Sequence, residues 1–456
     1  MHITKRFALL GVLAIVGATG ACNSFLEGGE LSTDPNRPVT GRPQARFAAT
    51  QVSLWALLGS DPARLTSVWT QQFKGDGIQY GPVNSYVHDE TTTGGFEQGI
   101  YTGGGLVDLR EVEAEARASG DSLLLGQAEV IEGLMMGTGA DLFGDMVYSQ
   151  ALSNTPNAPL DNQMDVYDAI QTVLSDALVN LVPVGGTNFG AGGSDLVYNG
   201  NPDQWKMLAH TAKARFFLHT AEVRPEAYAS ALTEAQSGIT DPADDYVAVY
   251  SGDLNEQNYW YQFDVVQRAG YIAPNTFLVG LLAGDPRLAE YFNATHSDLS
   301  ATRKAKDFSQ PLVTAQENLL IWAEAAYRTG STGPALTELN AARAAAQTVC
   351  NAETGGCVIP ASSASGTALL HAILTEKYIA MFQNIEAWND YKRTCFPNFT
   401  PTVPGLIIPA RLFYDLAERQ TNTSIPDPGA QPSRNANDPA NAFDDFGVAC
   451  KGQTPS

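Results

Sequence analysis

Apolar residues recur with the period of a helix in several stretches of the chain. Leu124, Ala128, Ile131, Met135 and Leu142 fall at steps of three, four and seven, with Asp121 in N-cap position before them. Ile170, Leu174 and Leu178 share one side of a helix predicted over Val166–Leu181. Asn201-Pro202-Asp203-Gln204 reads as a helix start, with Asn201 capping, Pro202 in the first turn and Gln204 reaching back. The apolar face that follows is Trp205, Leu208, Ala212 and Phe216. Leu319, Trp322, Ala323, Ala326 and Tyr327 form another face. A turn at Thr329–Pro334 follows, then a second face at Ala335, Leu336, Leu339, Ala342 and Ala346. Two amphipathic helices joined by a short turn, with small residues where they cross, predict an antiparallel pair. A single helix is expected over Leu369–Trp388, with Ile373, Leu374, Met381, Phe382 and Ile385 inward. The Ala-rich, aromatic-punctuated pattern is similar to a tetratricopeptide unit, without a strict 34-residue repeat. The fold class is therefore mainly α: tetratricopeptide-like helix pairs with long irregular loops and a few short β pieces.

The loops are the stretches without period, about 72–105, 183–200, 240–275 and 395–450, rich in Gly, Asn, Asp, Pro and Tyr. Long loops in a compact domain are usually functional or disordered, and the aromatic content of the first and third argues for order. Short β pieces are expected at Asp245–Tyr250 and Tyr259–Val266.

The start of the chain sets the compartment. Lys5 and Arg6 precede an apolar run, Phe7–Val16, and small residues lead to Cys22. This is the layout of a secretory signal over residues 1–21, too short to span a bilayer. A Cys directly after Gly20-Ala21 resembles the lipobox of bacterial lipoproteins, which makes Cys22 the expected lipid anchor. Residues 22–45 read as anchor and flexible tether, and 46–456 as one domain. Four further cysteines suit two disulfides in an oxidising compartment. Of the three connectivities, Cys350–Cys357 with Cys395–Cys450 is favoured: the first closes a short Gly-containing loop and the second ties a long tail to the body.

The precursor carries 27 basic and 49 acidic side chains, net −22. Removing residues 1–21 takes away Lys5 and Arg6 and no acid, so the mature chain would carry −24. That argues against a nucleic-acid partner and against docking on anionic lipid, and suits an uncharged ligand. Hydrophobic residues make up 44% of the chain, enough for a sizeable core.

Catalytic signatures are absent from the sequence: it holds no G-x-S-x-G, H-E-x-x-H, P-loop or G-x-G-x-x-G motif. The six histidines have no metal spacing, and His210 and His219, nine apart, share no helix face, so neither metal nor cofactor is expected. Glu111, Glu113 and Glu115 read as a solvated helix face, and Asp241, Asp244 and Asp245 as an exposed acidic turn.

Binding chemistry is expected in the loops. A sugar ring offers apolar C–H faces to flat aromatics and hydroxyl edges to Asn, Gln, Asp and Arg. Tyr259-Trp260-Tyr261, following Asn255, Gln257 and Asn258, is the densest cluster. The second candidate is 69–86, with Trp69, Gln71, Gln72, Tyr80, Asn84 and Tyr86. The alternative is that these aromatics fill the core beneath the loops. On a strand, Tyr259 and Tyr261 would face one way and Trp260 the other, so at most one face meets ligand.

Six segments, in order, resemble the SusD/RagB-like outer-membrane nutrient-binding lipoproteins. They are the opening Cys22–Glu27, Glu129–Asp145 ending Leu-Phe-Gly-Asp, and Trp205–Arg215, with His210 in place of the family's usual Asn. Glu317–Gly330, Ile373–Pro397, and Ile408–Tyr414 with Glu418–Asn422 complete the set. The resemblance implies a tetratricopeptide-like scaffold at the cell exterior, anchored by lipid in the outer membrane. It also implies delivery of an oligosaccharide, sometimes a peptide, to a SusC-like TonB-dependent transporter. Within these motifs Asp145, Arg215, Glu324, Arg393 and Arg411 are expected to pair inside the scaffold. A surface glycan hydrolase and a purely structural helical-repeat protein are the competing functions.

Overall fold

In the computed structural model, residues 42–453 are described, except 93–94, 154 and 439. The signal segment, Cys22 and the tether as far as residue 41 lie outside the described residues.

The first half runs α1 (Pro43–Gly59), α2 (Asp61–Trp69), β1 (Phe73–Gly75), α3 (Gly77–Asn84), α4 (Phe96–Tyr101), α5 (Leu106–Ser119) and α6 (Ser122–Phe143). Next come α7 (Gln163–Asn180), α8 (Pro202–Thr220), α9 (Ala227–Ala235) and β2 (Tyr246–Ala248). α1 begins at Pro43, a residue suited to the first turn, so residues 43–45 are helix where tether was expected.

α6 is the centre of the molecule. Every residue from Leu123 to Phe143 is buried, because α1, α5, α7 and α8 pack around it. Asp121 caps it, its side chain accepting from Leu124 N at 3.1 Å. Its helix-interior glycines permit close crossings: a Cβ on Gly133 would meet Leu174 of α7 at 2.6 Å. Asn201 caps α8 through Asp203 N, whereas Gln204 does not reach back; its amide donates to Asp244 at 2.8 Å.

The second half contains α10 (Tyr259–Tyr261), β3 (Ile272–Pro274), α11 (Thr276–Leu281), α12 (Arg287–Tyr291) and β4 (Gln310–Val313). It continues with α13 (Ala315–Arg328), α14 (Thr332–Thr354), α15 (Thr367–Ala380), α16 (Glu386–Thr394) and α17 (Leu416–Thr421). Helix pairs α6–α7, α8–α9 and α13–α14 pack on one another through α7–α8, α9–α13 and α13–α15. The protein is thus mainly helical, a tetratricopeptide-like scaffold. The strands form two antiparallel two-stranded ladders, β1–β3 and β2–β4.

Two elements differ from expectation. The helix expected over Leu369–Trp388 is broken between α15 and α16, where Gln383 adopts φ 60°. Gln72 holds the break: its amide donates to Met381 O at 2.9 Å and its carbonyl accepts from Gln383 N at 3.0 Å. Residues Tyr259–Gln267 are helical, a short α turn running into a π turn, and not a strand. Asn258 imposes this by accepting from both Trp260 N and Tyr261 N.

The charged scaffold residues find internal partners. Arg215 pairs with Glu317 at 2.5 Å and Arg393 with Glu324 at 2.5 Å. Arg411 donates to Phe143 O at 2.6 Å, and Asp145 accepts from Gln163 N at 2.8 Å. Glu113 is 1% exposed and is not part of a solvated face. A helix turns 100° per residue, so Glu113 points away from Glu111 and Glu115, which pair with Arg46 instead. The acidic turn is also less exposed than expected: Asp245 accepts from Ala315 N at 2.7 Å, and burial pushes its carboxyl up to about 8. Cys350 bonds Cys357 and Cys395 bonds Cys450. No helix among the described residues is long and apolar enough to cross a membrane.

Candidate ligand-binding site

The segments 72–105 and 240–275, far apart in sequence, meet on one side of the scaffold. β1 and β3 pair directly, Phe73 opposite Pro274 and Gly75 opposite Ile272. Asp76 N donates to Tyr271 O at 2.7 Å, and Asn275 N to Gln72 O at 3.0 Å. The Tyr80 ring meets Phe263 edge-on at 5.1 Å. Arg64 of α2 lies beneath, its guanidinium 4.5 Å from the Phe263 ring centre and 5.8 Å from that of Trp260, and paired with Asp61.

Most of the side chains proposed from sequence build this junction and do not line it. Trp260 is 1% exposed, packed 5.3 Å from the Phe73 ring. It offers no face to a ligand. Trp69 is fully buried between His88 and Trp388, its Nε1 donating to Val83 O at 3.2 Å. Gln72 is spent on the α15–α16 break and Asn258 on the cap described above; both are 0% exposed. Tyr86 is buried, its hydroxyl accepting from Thr402 N at 2.8 Å. Gln71 donates to Thr400 O, and Asn84 accepts from Gly75 N. Tyr259 and Tyr261 are half-buried.

Two cavities open beside the junction. The first, about 310 Å³, has an aromatic floor of Trp55, Tyr250 and Tyr259. Tyr250 stands edge-on to both neighbours, with ring centres 6.3 Å from Trp55 and 5.5 Å from Tyr259. Trp55 is fixed by its Nε1, which donates to Tyr246 Oη at 3.3 Å. Burial raises the phenols of Tyr250 and Tyr259, so both stay neutral at physiological pH. Val52, Leu196 and Val249 form the walls. A polar rim comes from Ser251, Asn255, Glu256 and Gln257. That loop is closed by Ser251 N donating to Glu256 O at 2.9 Å and Ser251 Oγ donating to Glu256 Oε2 at 2.6 Å. The second cavity, about 380 Å³, is more polar: Gln79, Tyr80, His88, Asp89, Thr91 and Thr92 over Leu65 and Val83. Hydrogen bonds from Thr91 hold the Asp89 carboxyl below its usual range.

Of the residues proposed from sequence, Asn255, Gln257 and Tyr259 line the first cavity and Tyr80 the second, while Trp260 and Trp69 line neither. The sequence reading missed Trp55 and Tyr250. Tyr250 carries a signal: Tyr246, Ala248 and Tyr250 alternate with Val247 and Val249. Trp55 sits on α1, whose apolar residues are spread round the helix without a marked face.

Elsewhere, Asp141, His219 and Glu386 place ligand-type atoms within 4.8 Å of one another. Both ring nitrogens of His219 point at carboxylates, and Arg215 Nη1 lies 3.8 Å from Glu386. The His219 imidazolium and the Arg215 guanidinium supply the positive charge here, and the cluster is a buried element of the scaffold.

The family model described as "Starch-binding associating with outer membrane", SusD-like, matches residues 35–306 and 295–415. Among solved structures, a chitin-binding SusD homolog from Flavobacterium johnsoniae superposes with a TM-score of 0.73 at 18% identity, covering 87% of this chain and 98% of its own. A SusD/RagB family protein from Bacteroides thetaiotaomicron gives 0.69 at 20% identity, covering 85% and 95%. A SusD-like protein from the same organism gives 0.70 at 18%, covering 89% and 100%. At these identities the likeness is one of fold. No curated protein matches the sequence.

Proposed function

The chain belongs to the SusD-like family of starch-binding, outer-membrane-associating proteins, and from that footing we propose that it captures an oligosaccharide at the cell surface and passes it to a SusC-like TonB-dependent transporter. The observation that carries this reading is the cavity floored by Trp55, Tyr250 and Tyr259 and rimmed by amides and a hydroxyl. Flat rings suit the C–H faces of a pyranose, and Asn255, Gln257 and Ser251 suit its hydroxyl edge. The chitin-binding neighbour supports a glycan as ligand, and lipid on Cys22 would hold the protein at the outer membrane. Binding without cleavage is the reading because a glycoside hydrolase needs two carboxylates astride the bond, and among the described residues Glu256 is the one carboxylate lining this cavity.

A glycan-array screen of the chain from Asn23 tests the capture step. Binding should fall at least tenfold in Tyr250→Ala/Tyr259→Ala with little change in Tm. Trp260→Ala should lower Tm first, since it removes a core ring at a cost of roughly 3–5 kcal/mol. Shortening of a bound oligosaccharide on prolonged incubation, or full binding by the double variant, would sink this assignment. Delivery is tested by co-purification of a TonB-dependent barrel with the membrane-bound protein, and anchoring by release of Cys22→Ser into the soluble fraction.

A further inference from the structure

The walls of the aromatic cavity constrain which glycan it takes, an inference that rests on the capture reading above. Val52, Leu196 and Val249 remain 41%, 39% and 44% exposed although they line a concave surface. An unsubstituted hexose carries hydroxyls around its whole edge. Hydroxyls pressed against valine and leucine lose water without gaining a partner. An acetamido substituent resolves the mismatch: its methyl fills an aliphatic wall, and its N–H and C=O can meet the rim formed by Ser251, Asn255, Glu256 and Gln257.

Charge narrows the choice further. Tyrosines aside, the ionisable side chain lining the cavity is Glu256. Among the described residues no Lys or Arg lines it. Lys306, on the adjoining loop, directs its Nζ to Gly252 O at 3.2 Å, and Arg64 lies buried beneath, paired with Asp61. Within the lining a uronate or sulfate would meet the Glu256 carboxylate, with Lys306 outside it and Arg64 already paired. We propose that the cavity selects a glycan bearing N-acetyl groups over plain and anionic glycans, and over the free amine, which has no methyl for the aliphatic wall.

Three hexasaccharides sharing a β-1,4 backbone separate the possibilities: N-acetylglucosamine, glucose and the de-N-acetylated glucosamine. Isothermal titration of the chain from Asn23 should show the N-acetylated hexamer binding at least tenfold more tightly than either other. Leu196→Asn/Val249→Thr, at exposed positions, should bring its affinity to that of the glucose hexamer with Tm unchanged. Equal affinity for the glucose hexamer, or tighter binding of the amine, of a uronate-bearing oligomer or of maltohexaose, overturns the N-acetyl preference and leaves glycan capture standing. Silence toward every glycan overturns both. Unchanged selectivity in the wall variant overturns the placement of the acetamido group here.

Discussion

Both ring nitrogens of His219 lie 2.8 Å from a carboxylate oxygen, Nδ1 from Asp141 and Nε2 from Glu386. Against two carboxylates both nitrogens must donate, which only the imidazolium can do. Burial opposes that charge, but Asp141 and Glu386 outweigh it and push His219 up to about 10. Burial likewise works against ionisation of Glu386, and His219 and Arg215 reverse it, holding the carboxyl at about 2. The signs follow by linkage. A histidine raised above its ordinary 6.5 stabilises the fold fully at and below that pH, and the contribution disappears as pH climbs through 10. A glutamate depressed below 4.5 stabilises above that pH, and its contribution is lost as pH falls through 2. His219→Gln should therefore cost roughly 3–5 kcal/mol at pH 7, the cost of stranding buried partners. The gap from the parent protein should narrow as pH approaches 10. Urea unfolding of both proteins at pH 7 and pH 10 measures this; a gap that stays constant would refute the charged imidazole. Subtracting the two proteins also removes the losses expected near pH 8 from Glu97 and Asp245, both raised to about 8 by burial.

At the level of elements, what could be read from the sequence depended on period and local caps. α6, α7, α8, α13 and α14 announce themselves because their faces repeat and because Asp121 and Asn201 act on neighbours two or three residues away. The break between α15 and α16 was not legible: its determinant, Gln72, lies more than 300 residues away. The helical form of Tyr259–Gln267 was partly legible, since Asn258 is a cap residue and Trp260 and Phe263 are three apart. The aromatic and β-branched composition pulled the reading toward strand. The site divides the same way. Its two segments were recognisable by their aromatic residues, but which aromatics face solvent is decided by Phe73 and Arg64, and no local pattern encodes that. Glycine spacing in α6 is a further local signal with a distant cause. Gly133 lets α7 approach, and a methyl there would press on Leu174. Gly133→Ala should destabilise by about 1–3 kcal/mol despite its better helix propensity, as overpacked cores do. Thermal unfolding checks it, and a Tm at or above the parent's would show that the crossing can open without penalty.

For the molecule as a whole, the irregular segment after α16 closes the scaffold and does not merely trail from it. Of the last four carbonyls of α6, Ala140 O accepts from the capping Gly144 N at 3.0 Å, and distant groups reach all four. Gln163 donates to Ala140 O and Asn435 to Asp141 O, each at 2.8 Å; Leu412 N reaches Leu142 O at 2.8 Å and Arg411 reaches Phe143 O at 2.6 Å. Three of these four donors belong to the C-terminal segment. Asn437 adds a bond to His219 O at 3.0 Å, and Gln453 bonds Tyr391 O and Lys392 O. A segment with so little helix or strand of its own stays ordered through such bonds and through its crosslink. The two disulfides should then differ in worth. Cys350–Cys357 spans 7 residues and Cys395–Cys450 spans 55. Loop-closure entropy assigns about 2 kcal/mol to the first and about 4 kcal/mol to the second. All four sulfurs belong to buried residues, so Cys→Ala pairs lose similar packing and their difference isolates the crosslink. Urea unfolding of Cys395→Ala/Cys450→Ala should show the larger loss, accompanied by early proteolytic cleavage within 395–450. If the short loop proves the costlier to open, the tail is held by its hydrogen bonds alone, and the α6 terminus is secured without the covalent tie.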